Sequence, residues 1–105
     1  MAHRTNQTPA IIVISSTGIS VAKKISSILP KSETHGLVTR FDGADIVFKN
    51  TQHHLQALFQ SKQPIIGLCG TGILIRSLAP VLQAKKLEPP VIAVAQDASV
   101  AVPLL

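Results

Sequence analysis

The chain is 105 residues long, 46% hydrophobic and only 14% charged, and it carries a formal net charge of +5. That length suits a single domain with one core, and the hydrophobic content excludes an intrinsically disordered chain. The longest apolar runs, of five or six residues, are too short to span a membrane, and the polar start lacks the apolar segment of a secretory signal. With one cysteine, which excludes an internal disulfide, the composition predicts a cytoplasmic protein.

The first strand and the first helix are predicted close to the start of the chain. The run Ala10–Ser15 is continuous, apolar and rich in β-branched residues, which is typical of a buried strand. Ser16-Thr17-Gly18 then turns the chain, and Thr17 is the predicted N-cap of an amphipathic helix. Apolar residues recur at spacings of three and four until Pro30 ends that helix.

The middle of the chain carries weaker signals. Gly36–Thr39 and Ile46–Phe48 are predicted as two short strands, with Asp42-Gly43 as the turn between them. A helical pattern follows, with Thr51 as its predicted cap, and it ends before Pro64. This part of the chain therefore adds two strands and one helix to the predicted domain.

Strand, glycine turn and helix follow one another in the next segment. Pro64–Cys69 is the predicted strand, Gly70-Thr71-Gly72 is the turn, and an amphipathic helix that carries Arg76 comes next. Pro80 removes a helix hydrogen bond, so it is expected to kink or restart that helix. This order places free backbone N–H groups and one arginine near the carboxyl end of a strand.

The last two strands complete the predicted fold. Val91–Ala95 and Val100–Leu105 are separated only by the tight turn Gln96-Asp97-Ala98-Ser99, which favours antiparallel pairing. Because strands alternate with helices, residues 10–105 are predicted to form one α/β domain, a three-layer sandwich with a mostly parallel sheet flanked by helices and an antiparallel edge strand. Residues 1–9 are expected to be a flexible tail. Since the sequence stops at an apolar strand, we expect it to be part of a longer protein.

The basic net charge implies an anionic partner, since ten basic residues stand against five acidic ones. Nucleic acid is disfavoured, because the chain has no Trp or Tyr and only three phenylalanines for base stacking, and its basic residues occur singly or in pairs. A solvated basic face that aids solubility is the alternative to a specific role for the lysines.

Two turns at the carboxyl edge of the predicted sheet form the candidate site. Open α/β sheets bind ligands at this edge, and helix N-termini there favour anions. The predicted binding residues are Thr17, Gly18, Gly70, Thr71, Gly72 and Arg76. The spacing Gly67-x-x-Gly70-x-Gly72 fits neither the dinucleotide fingerprint nor a P-loop, so close packing of strand against helix is an equal alternative.

Arg76 and Cys69 differ in what their surroundings predict. Arg76 lies among apolar residues about one helical turn beyond the glycine turn, which favours a bound anion or an internal ion pair over idle exposure. Cys69 lies beside the same turn, but no histidine is near it in sequence, and a buried structural cysteine is favoured.

The remaining acid–base candidates carry weak signals. His53 and His54 are adjacent on a predicted helix, so they point to different faces, cannot share one metal well and are expected to be exposed. His35 and Asp97 are isolated at loop edges, where each has acid–base potential but a solvated turn residue is favoured. No Cys/His cluster has the spacing of a zinc site, and the catalytic residue stays unassigned.

Several segments of the second half follow a known pattern in order and spacing. They are Gly72-Ile73-Leu74-Ile75-Arg76-Ser77-Leu78-Ala79-Pro80, Lys85, Glu88-Pro89-Pro90-Val91-Ile92-Ala93-Val94 and Val102-Pro103-Leu104-Leu105. Together they resemble the N-terminal region of the cobalt-precorrin-5A hydrolases, the cobalamin-biosynthesis G family. Upstream, Thr17-Gly18-Ile19-x-x-Ala22 is similar to that family's opening motif, with shortened spacing. The sequence departs from the family at Glu88, where Asp is usual, and it stops where a Gly-Gly-His run usually follows.

The resemblance implies a reaction, a substrate and partners. These enzymes open the δ-lactone of cobalt-precorrin-5A with loss of acetaldehyde, in anaerobic cobalamin biosynthesis. Their substrate is a corrinoid ring with many acetate and propionate carboxylates, and its cobalt comes with the ring, so no cofactor and no protein-bound metal are expected. Downstream domains of the same polypeptide are implied as partners, and some family members are fused to a precorrin methyltransferase, which nothing in this sequence resembles. Without the Gly-Gly-His run, the chain by itself is expected to be inactive.

Two other functions stay open. A phosphate- or nucleotide-binding α/β module would use the same two turns, and a non-catalytic interaction domain would position another enzyme of the cobalamin pathway. Neither nucleic acid nor a membrane is an expected partner.

Overall fold

A six-stranded sheet lies at the centre of the computed structural model, which describes residues 8–82 and 88–105. The strands are β1 Ala10–Val13, β2 Glu33–Leu37, β3 Ile46–Phe48, β4 Ile65–Leu68, β5 Val91–Val94 and β6 Ala101–Pro103. The helices are α1 Ile19–Ile28, α2 Thr51–Gln60 and α3 Thr71–Leu78, and short 3-10 turns lie at Ser16–Gly18 and Ala79–Val81. The predicted α/β class is confirmed.

The strand order β3-β2-β1-β4-β5-β6 places the first strand of the chain in the middle of the sheet. Neighbouring strands are parallel except for β5 and β6, which pair antiparallel as predicted. The chain moves outward through β2 and β3, and it returns to the other side of β1 with β4. The carboxyl ends of β1 and β4 therefore form a switch point, where an open α/β sheet binds its ligands.

Two hydrophobic clusters pack on opposite faces of the sheet and give the molecule its three layers. β1 is buried on both faces, because Ala10 and Ile12 belong to one cluster and Ile11 and Val13 to the other. α1 packs on the face of Ile11 and Val13. The opposite face is covered by α2 and α3, through Leu55, Leu58, Phe59, Leu74 and Leu78.

The predicted helix boundaries are confirmed at one place and wrong at another. As predicted, Pro80 interrupts the third helix: α3 ends at Leu78, and Pro80 lies in the 3-10 turn that follows. Thr51 is not the cap of α2, because the side chain of Asn50 accepts a hydrogen bond of 2.9 Å from the backbone N–H of His53. Thr51 is instead the first helical residue, since the extended backbone ends at Asn50.

The second strand is displaced from its predicted position. β2 starts at Glu33 rather than at Gly36, and it ends at Leu37. It stops there because Thr39 turns the chain, with a left-handed φ of 67°. The displacement brings three polar residues into the sheet, Glu33, Thr34 and His35.

Some predictions concern residues that the structure does not describe. Residues 1–7 of the predicted tail and Lys85 of the family pattern lie outside the described residues. Pro9, at the end of the predicted tail, accepts a hydrogen bond of 2.9 Å from the Glu33 N–H through its carbonyl oxygen. Between residues 8 and 82 and from 88 onward, no helix has the length and apolar character needed to cross a membrane.

Candidate binding site at the carboxyl edge of the sheet

The two turns predicted to bind a ligand leave the sheet side by side. β1 and β4 are parallel neighbours, and their last residues, Val13 and Leu68, are paired in register. One turn begins just after β1, and the other begins just after β4. The structure therefore brings together, at the switch point, the predicted residues Thr17, Gly18, Gly70, Thr71 and Gly72.

Thr17 is not the N-cap of α1, contrary to the prediction. The chain first passes through a 3-10 turn, in which the Ser15 hydroxyl accepts a hydrogen bond of 3.4 Å from the Thr17 N–H. Gly18 takes the N-cap position of α1 and has no side chain for capping. The Thr17 hydroxyl instead donates to Oε1 of Gln96, a residue 79 positions along the chain.

Gln96 connects the ends of three strands. Its carboxamide oxygen accepts from Thr17 after β1, and its Nε2 lies 3.5 Å from the carbonyl oxygen of Leu68 at the end of β4. Gln96 itself follows β5 by two positions. The sequence analysis placed Gln96 only in a tight turn. Its polar side chain, just beyond a buried strand at the carboxyl edge of the sheet, could have identified it as a site residue.

A wide, open depression of about 510 Å³ lies beside Thr17, and we call it the polar cavity because four of its five lining residues have polar side chains. Its lining residues are Thr17, Ala95, Gln96, Asp97 and Ser99. Hydrogen bonds from the Ser99 side chain and from its backbone N–H, the latter at 2.9 Å, hold the pKa of Asp97 below its usual value. Asp97 is therefore ionised at neutral pH, and it is a weak base for the acid–base role considered from the sequence.

An apolar groove of about 170 Å³ adjoins the polar cavity, and the two share Ala95. The groove is lined by Cys69, Gly70, Thr71, Ala93, Val94, Ala95, Val100 and Val102. Burial raises the pKa of the Cys69 thiol to about 11, so the thiol is neutral and a poor nucleophile. This confirms the prediction that Cys69 is a buried structural cysteine. The candidate site thus has a polar half and an apolar half.

The three glycines around the second turn have three different surroundings. A Cβ atom at Gly67 would lie 2.9 Å from both terminal methyl groups of Leu74, so this glycine allows α3 to pack closely on β4. A Cβ at Gly70 would meet nothing within 4 Å, and one at Gly72 would lie 3.0 Å from Nη1 of Arg76. The packing alternative therefore explains Gly67, whereas Gly70 leaves the start of α3 open to solvent.

Arg76 folds back along α3 toward the start of that helix. Its guanidinium lies over Gly72 in the first helical turn, which is the direction that long side chains take on a helix. Arg76 is exposed and forms no ion pair or hydrogen bond with the described residues. The internal ion pair considered from the sequence is therefore not observed among them. The Arg76 guanidinium therefore lies close to the N-terminus of α3, which has no side-chain cap.

Gly18 differs from the other predicted residues because it is buried. A Cβ atom there would lie 3.5 Å from Cβ of Leu68 and 3.8 Å from Cγ of Gln96. On this side Gly18 thus faces the side chains of Val13, Leu68 and Gln96 and is closed to a ligand. Its role as a binding residue stays a prediction.

A second polar cluster lies away from this edge, between β2 and α2. His35 is only 1% exposed, its Nε2 lies 3.0 Å from Oε1 of Glu33, and its Nδ1 lies 2.7 Å from Nε2 of His54. Gln63 donates to the same Glu33 oxygen at 3.1 Å. We call Glu33, His35, His54 and Gln63 the histidine cluster. The predictions of an isolated His35 and an exposed His54 are wrong, because the displaced β2 places His35 beneath α2.

His54 is tightly packed within the histidine cluster. The His54 ring stacks on Phe48 with a centroid separation of 4.3 Å and an interplanar angle of 4°. Burial, and secondarily the neighbouring His35, lower the pKa of His54 to about 4, so it is uncharged at neutral pH. In the part of the chain that the structure describes, no group of three or more His, Cys, Asp or Glu side chains is arranged to hold a metal ion.

The aromatic residues contribute to the core. Phe41, Phe48 and Phe59 are all buried, with exposed fractions of 7%, 6% and 4%. Because these are the only residues among Phe, Trp and Tyr in the sequence, the carboxyl edge presents no exposed Phe, Trp or Tyr ring on which a nucleotide base could stack.

Known proteins are similar to this chain in sequence. The profile of the family described as "Cobalamin synthesis G N-terminal" matches residues 53–105. The chain belongs to this family. A cobalt-precorrin-5A hydrolase from Priestia megaterium is 26% identical over 92 residues, which cover 81% of this chain and 24% of the relative. No solved structure shows significant similarity.

Family membership confirms the resemblance found in the motifs and gives the chain a role in cobalamin synthesis. The matched region runs from α2 to the end of β6 and contains Gly70, Arg76 and Gln96, whereas Thr17 and Gly18 lie ahead of it. The chain spans about a quarter of the length of the curated relative.

Proposed function

We propose that this chain is the N-terminal substrate-binding unit of a cobalt-precorrin-5A hydrolase. The reaction opens the δ-lactone of cobalt-precorrin-5A and releases a two-carbon fragment as acetaldehyde, in the cytoplasm, during anaerobic cobalamin biosynthesis. Membership of the cobalamin synthesis G N-terminal family and the name of the Priestia megaterium relative support this proposal. The observation that carries it is a polar cavity and an apolar groove that adjoin at the switch point of the sheet.

The two halves of the site suit the two kinds of surface on a corrinoid. The ring system is apolar, and the groove beside Cys69 offers an apolar wall. The ring edge carries acetate and propionate carboxylates, for which the uncapped start of α3 and the exposed Arg76 guanidinium provide N–H donors and positive charge. The net charge of +5 attracts such a polyanion from a distance.

The described residues bind and orient; none of them is assigned as the base that activates water. The Cys69 thiol is neutral because burial raises its pKa to about 11, and Asp97 is a weak base because its pKa is lowered. We therefore propose that downstream domains of the same polypeptide complete the catalytic site. The cobalt enters with the substrate, and the proposal needs no resident cofactor.

The test measures binding and turnover separately. The chain is titrated with cobalt-precorrin-5A while the visible absorption of the ring is followed, and acetaldehyde is assayed in the same samples and with a longer hydrolase of the family. We expect the chain to bind the ring and to release no acetaldehyde. Turnover comparable with that of the longer enzyme would show that the chain is itself catalytic, and a chain that leaves the ring spectrum unchanged would contradict the proposal.

A phosphate- or nucleotide-binding module is the competing function. A panel of nucleoside phosphates in a thermal-shift assay, run beside the corrinoid, distinguishes the two. We expect the corrinoid alone to raise the melting temperature. Stabilisation by a nucleotide, and not by the corrinoid, would favour the alternative.

A further inference from the structure

We infer that the Gln96 carboxamide binds one carboxylate of the corrinoid substrate and that Thr17 is the residue that positions it. The identity of the ligand rests on the proposed function; the identity of the donor rests on the geometry around Gln96. This residue is only a turn residue by sequence, but it reaches from the end of β5 to the ends of β1 and β4.

The direction of the hydrogen bonds fixes the orientation of the carboxamide. A threonine hydroxyl has a single proton, and that of Thr17 is donated to Oε1 of Gln96. The contact of 3.0 Å between the Ser15 and Thr17 hydroxyls must then have Ser15 as its donor. The relay Ser15 to Thr17 to Gln96 thus holds the oxygen end of the carboxamide toward β1 and leaves the nitrogen end on the opposite side.

The nitrogen end of Gln96 has donor capacity to spare. Its Nε2 carries two N–H groups, and the contact that the structure gives it is the Leu68 carbonyl oxygen at 3.5 Å, which is the outer limit of a hydrogen bond. Within the described residues, Nε2 has no second acceptor. A ligand oxygen in the polar cavity is therefore the natural partner for this group, since Gln96 lines that cavity.

The charge of Asp97 determines on which side of the polar cavity a carboxylate of the ligand can bind. Asp97 lines the same cavity and is ionised, and its carboxylate already accepts hydrogen bonds from Ser99. A second carboxylate beside Asp97 is disfavoured by repulsion between like charges. The Thr17 and Gln96 side of the cavity, with its spare N–H donors, is consequently the side that accepts a substrate carboxylate.

The experiment compares two rings and four variants of the chain. The probes are a cobalt corrinoid with free acetate and propionate side chains and the same ring with those groups methyl-esterified. At Gln96, the change to Leu removes the N–H donors (Gln96→Leu), and the change to Glu keeps the shape but adds negative charge (Gln96→Glu). At Thr17, the change to Val removes the positioning hydroxyl (Thr17→Val), and the change to Ser retains it (Thr17→Ser). Gln60→Leu is the matched control, because Gln60 is exposed at the end of α2. Binding constants are measured by absorbance titration, and folding by circular dichroism.

We expect Gln96→Leu to weaken binding of the acid ring by roughly tenfold to a hundredfold, the loss that corresponds to one hydrogen bond to a charged group. Gln96→Glu is expected to lose more, Thr17→Val to lose a smaller part, and Thr17→Ser and Gln60→Leu to bind like the wild type. The ester ring should bind each folded variant about as well as it binds the wild type. This selective loss is not expected if Gln96 only packs.

The outcomes separate this inference from the proposed function. If the wild type binds neither ring, the proposed function fails and the inference fails with it. If the wild type prefers the acid ring and Gln96→Leu retains that preference, or if both rings lose affinity equally, the function stands and the role of Gln96 is wrong. Should Gln96→Leu fail to fold, Gln96→Glu gives the same decision, because it has nearly the same shape.

Discussion

The histidine cluster and the carboxyl edge are both built from polar side chains, but they differ in what their polar atoms contact. In the histidine cluster, both ring nitrogens of His35 have partners within 3.0 Å, and the ring is buried. At the carboxyl edge, Arg76 has no partner among the described residues, and Nε2 of Gln96 has only a contact of 3.5 Å. Satisfied, buried groups stabilise a fold, whereas unsatisfied, accessible groups are available to a ligand.

The two regions should respond differently to substitution, one in the stability of the fold and the other in ligand binding. If the histidine cluster is structural and the carboxyl edge is functional, substitutions in the first should change the free energy of unfolding and leave binding intact. Substitutions in the second should do the reverse. Three variants test this division.

The largest effect is expected for His35→Ala. This change removes a buried ring together with its hydrogen bonds to Glu33 and His54, so the free energy of unfolding should fall by about 2–4 kcal/mol. The melting temperature should fall by roughly 10–30 °C. His53→Ala is the control, because His53 is next to His54 on α2 but its side chain is exposed. A folded His35→Ala chain with full stability but reduced corrinoid affinity would reverse the assignment.

Arg76→Ala should affect function more than stability. In an active hydrolase that contains this domain, we expect kcat/KM to fall roughly tenfold to a hundredfold, as for loss of a charge-assisted hydrogen bond. Arg76→Lys should restore little, because the planar fork of the guanidinium is lost. The melting temperature should barely change, since Arg76 is exposed and lacks an ion pair with the described residues. Unchanged kinetics together with a clearly lower melting temperature would make Arg76 a structural residue.

Gly72→Ala should give the smallest effect. It is also the most diagnostic variant, because the free energy of unfolding should rise while the affinity for the ligand falls. Alanine is favoured over glycine within a helix, so the free energy of unfolding should rise by up to about 0.5–1 kcal/mol. The new Cβ would lie 3.0 Å from Nη1 of Arg76, so the guanidinium must shift, and affinity for the acid ring should fall by about twofold to fivefold. The matched control is Gly72→Ala in the Arg76→Ala background, where no guanidinium remains to be displaced, so the affinity should not fall further. A variant that binds as well as the wild type would show that the position of Arg76 over Gly72 is unimportant.

Local patterns predicted much of the fold because they depend on neighbouring residues. The apolar runs of β1, β4 and β5 identify buried strands wherever they lie in the sheet, and the short turn before β6 makes its antiparallel pairing nearly obligatory. Pro80 ends α3 for an equally local reason, the missing N–H. The position of the two glycine turns at one sheet edge also followed from the predicted parallel direction of the strands, because the carboxyl ends of parallel strands lie at the same edge.

Two of the wrong predictions, those for Thr17 and His35, depend on distant partners. Thr17 has the right residue type for an N-cap, but its hydroxyl is taken by Gln96, 79 residues away. His35 looked isolated because its partner His54 is 19 positions distant and is brought near only when α2 packs on β2. No rule based on nearby residues specifies such contacts, since they arise from the assembled sheet.

Thr17 and Gln96 meet only after β1, β4 and β5 have all joined the sheet. A partly assembled chain therefore lacks the pair, and a ligand that binds Gln96 in the orientation set by Thr17 recognises the native state alone. By mass action, such a ligand at a hundred times its Kd adds about 2.7 kcal/mol to the free energy of unfolding. Such a ligand lowers the population of the unfolded chain and, with it, the rate of proteolysis that proceeds through unfolding.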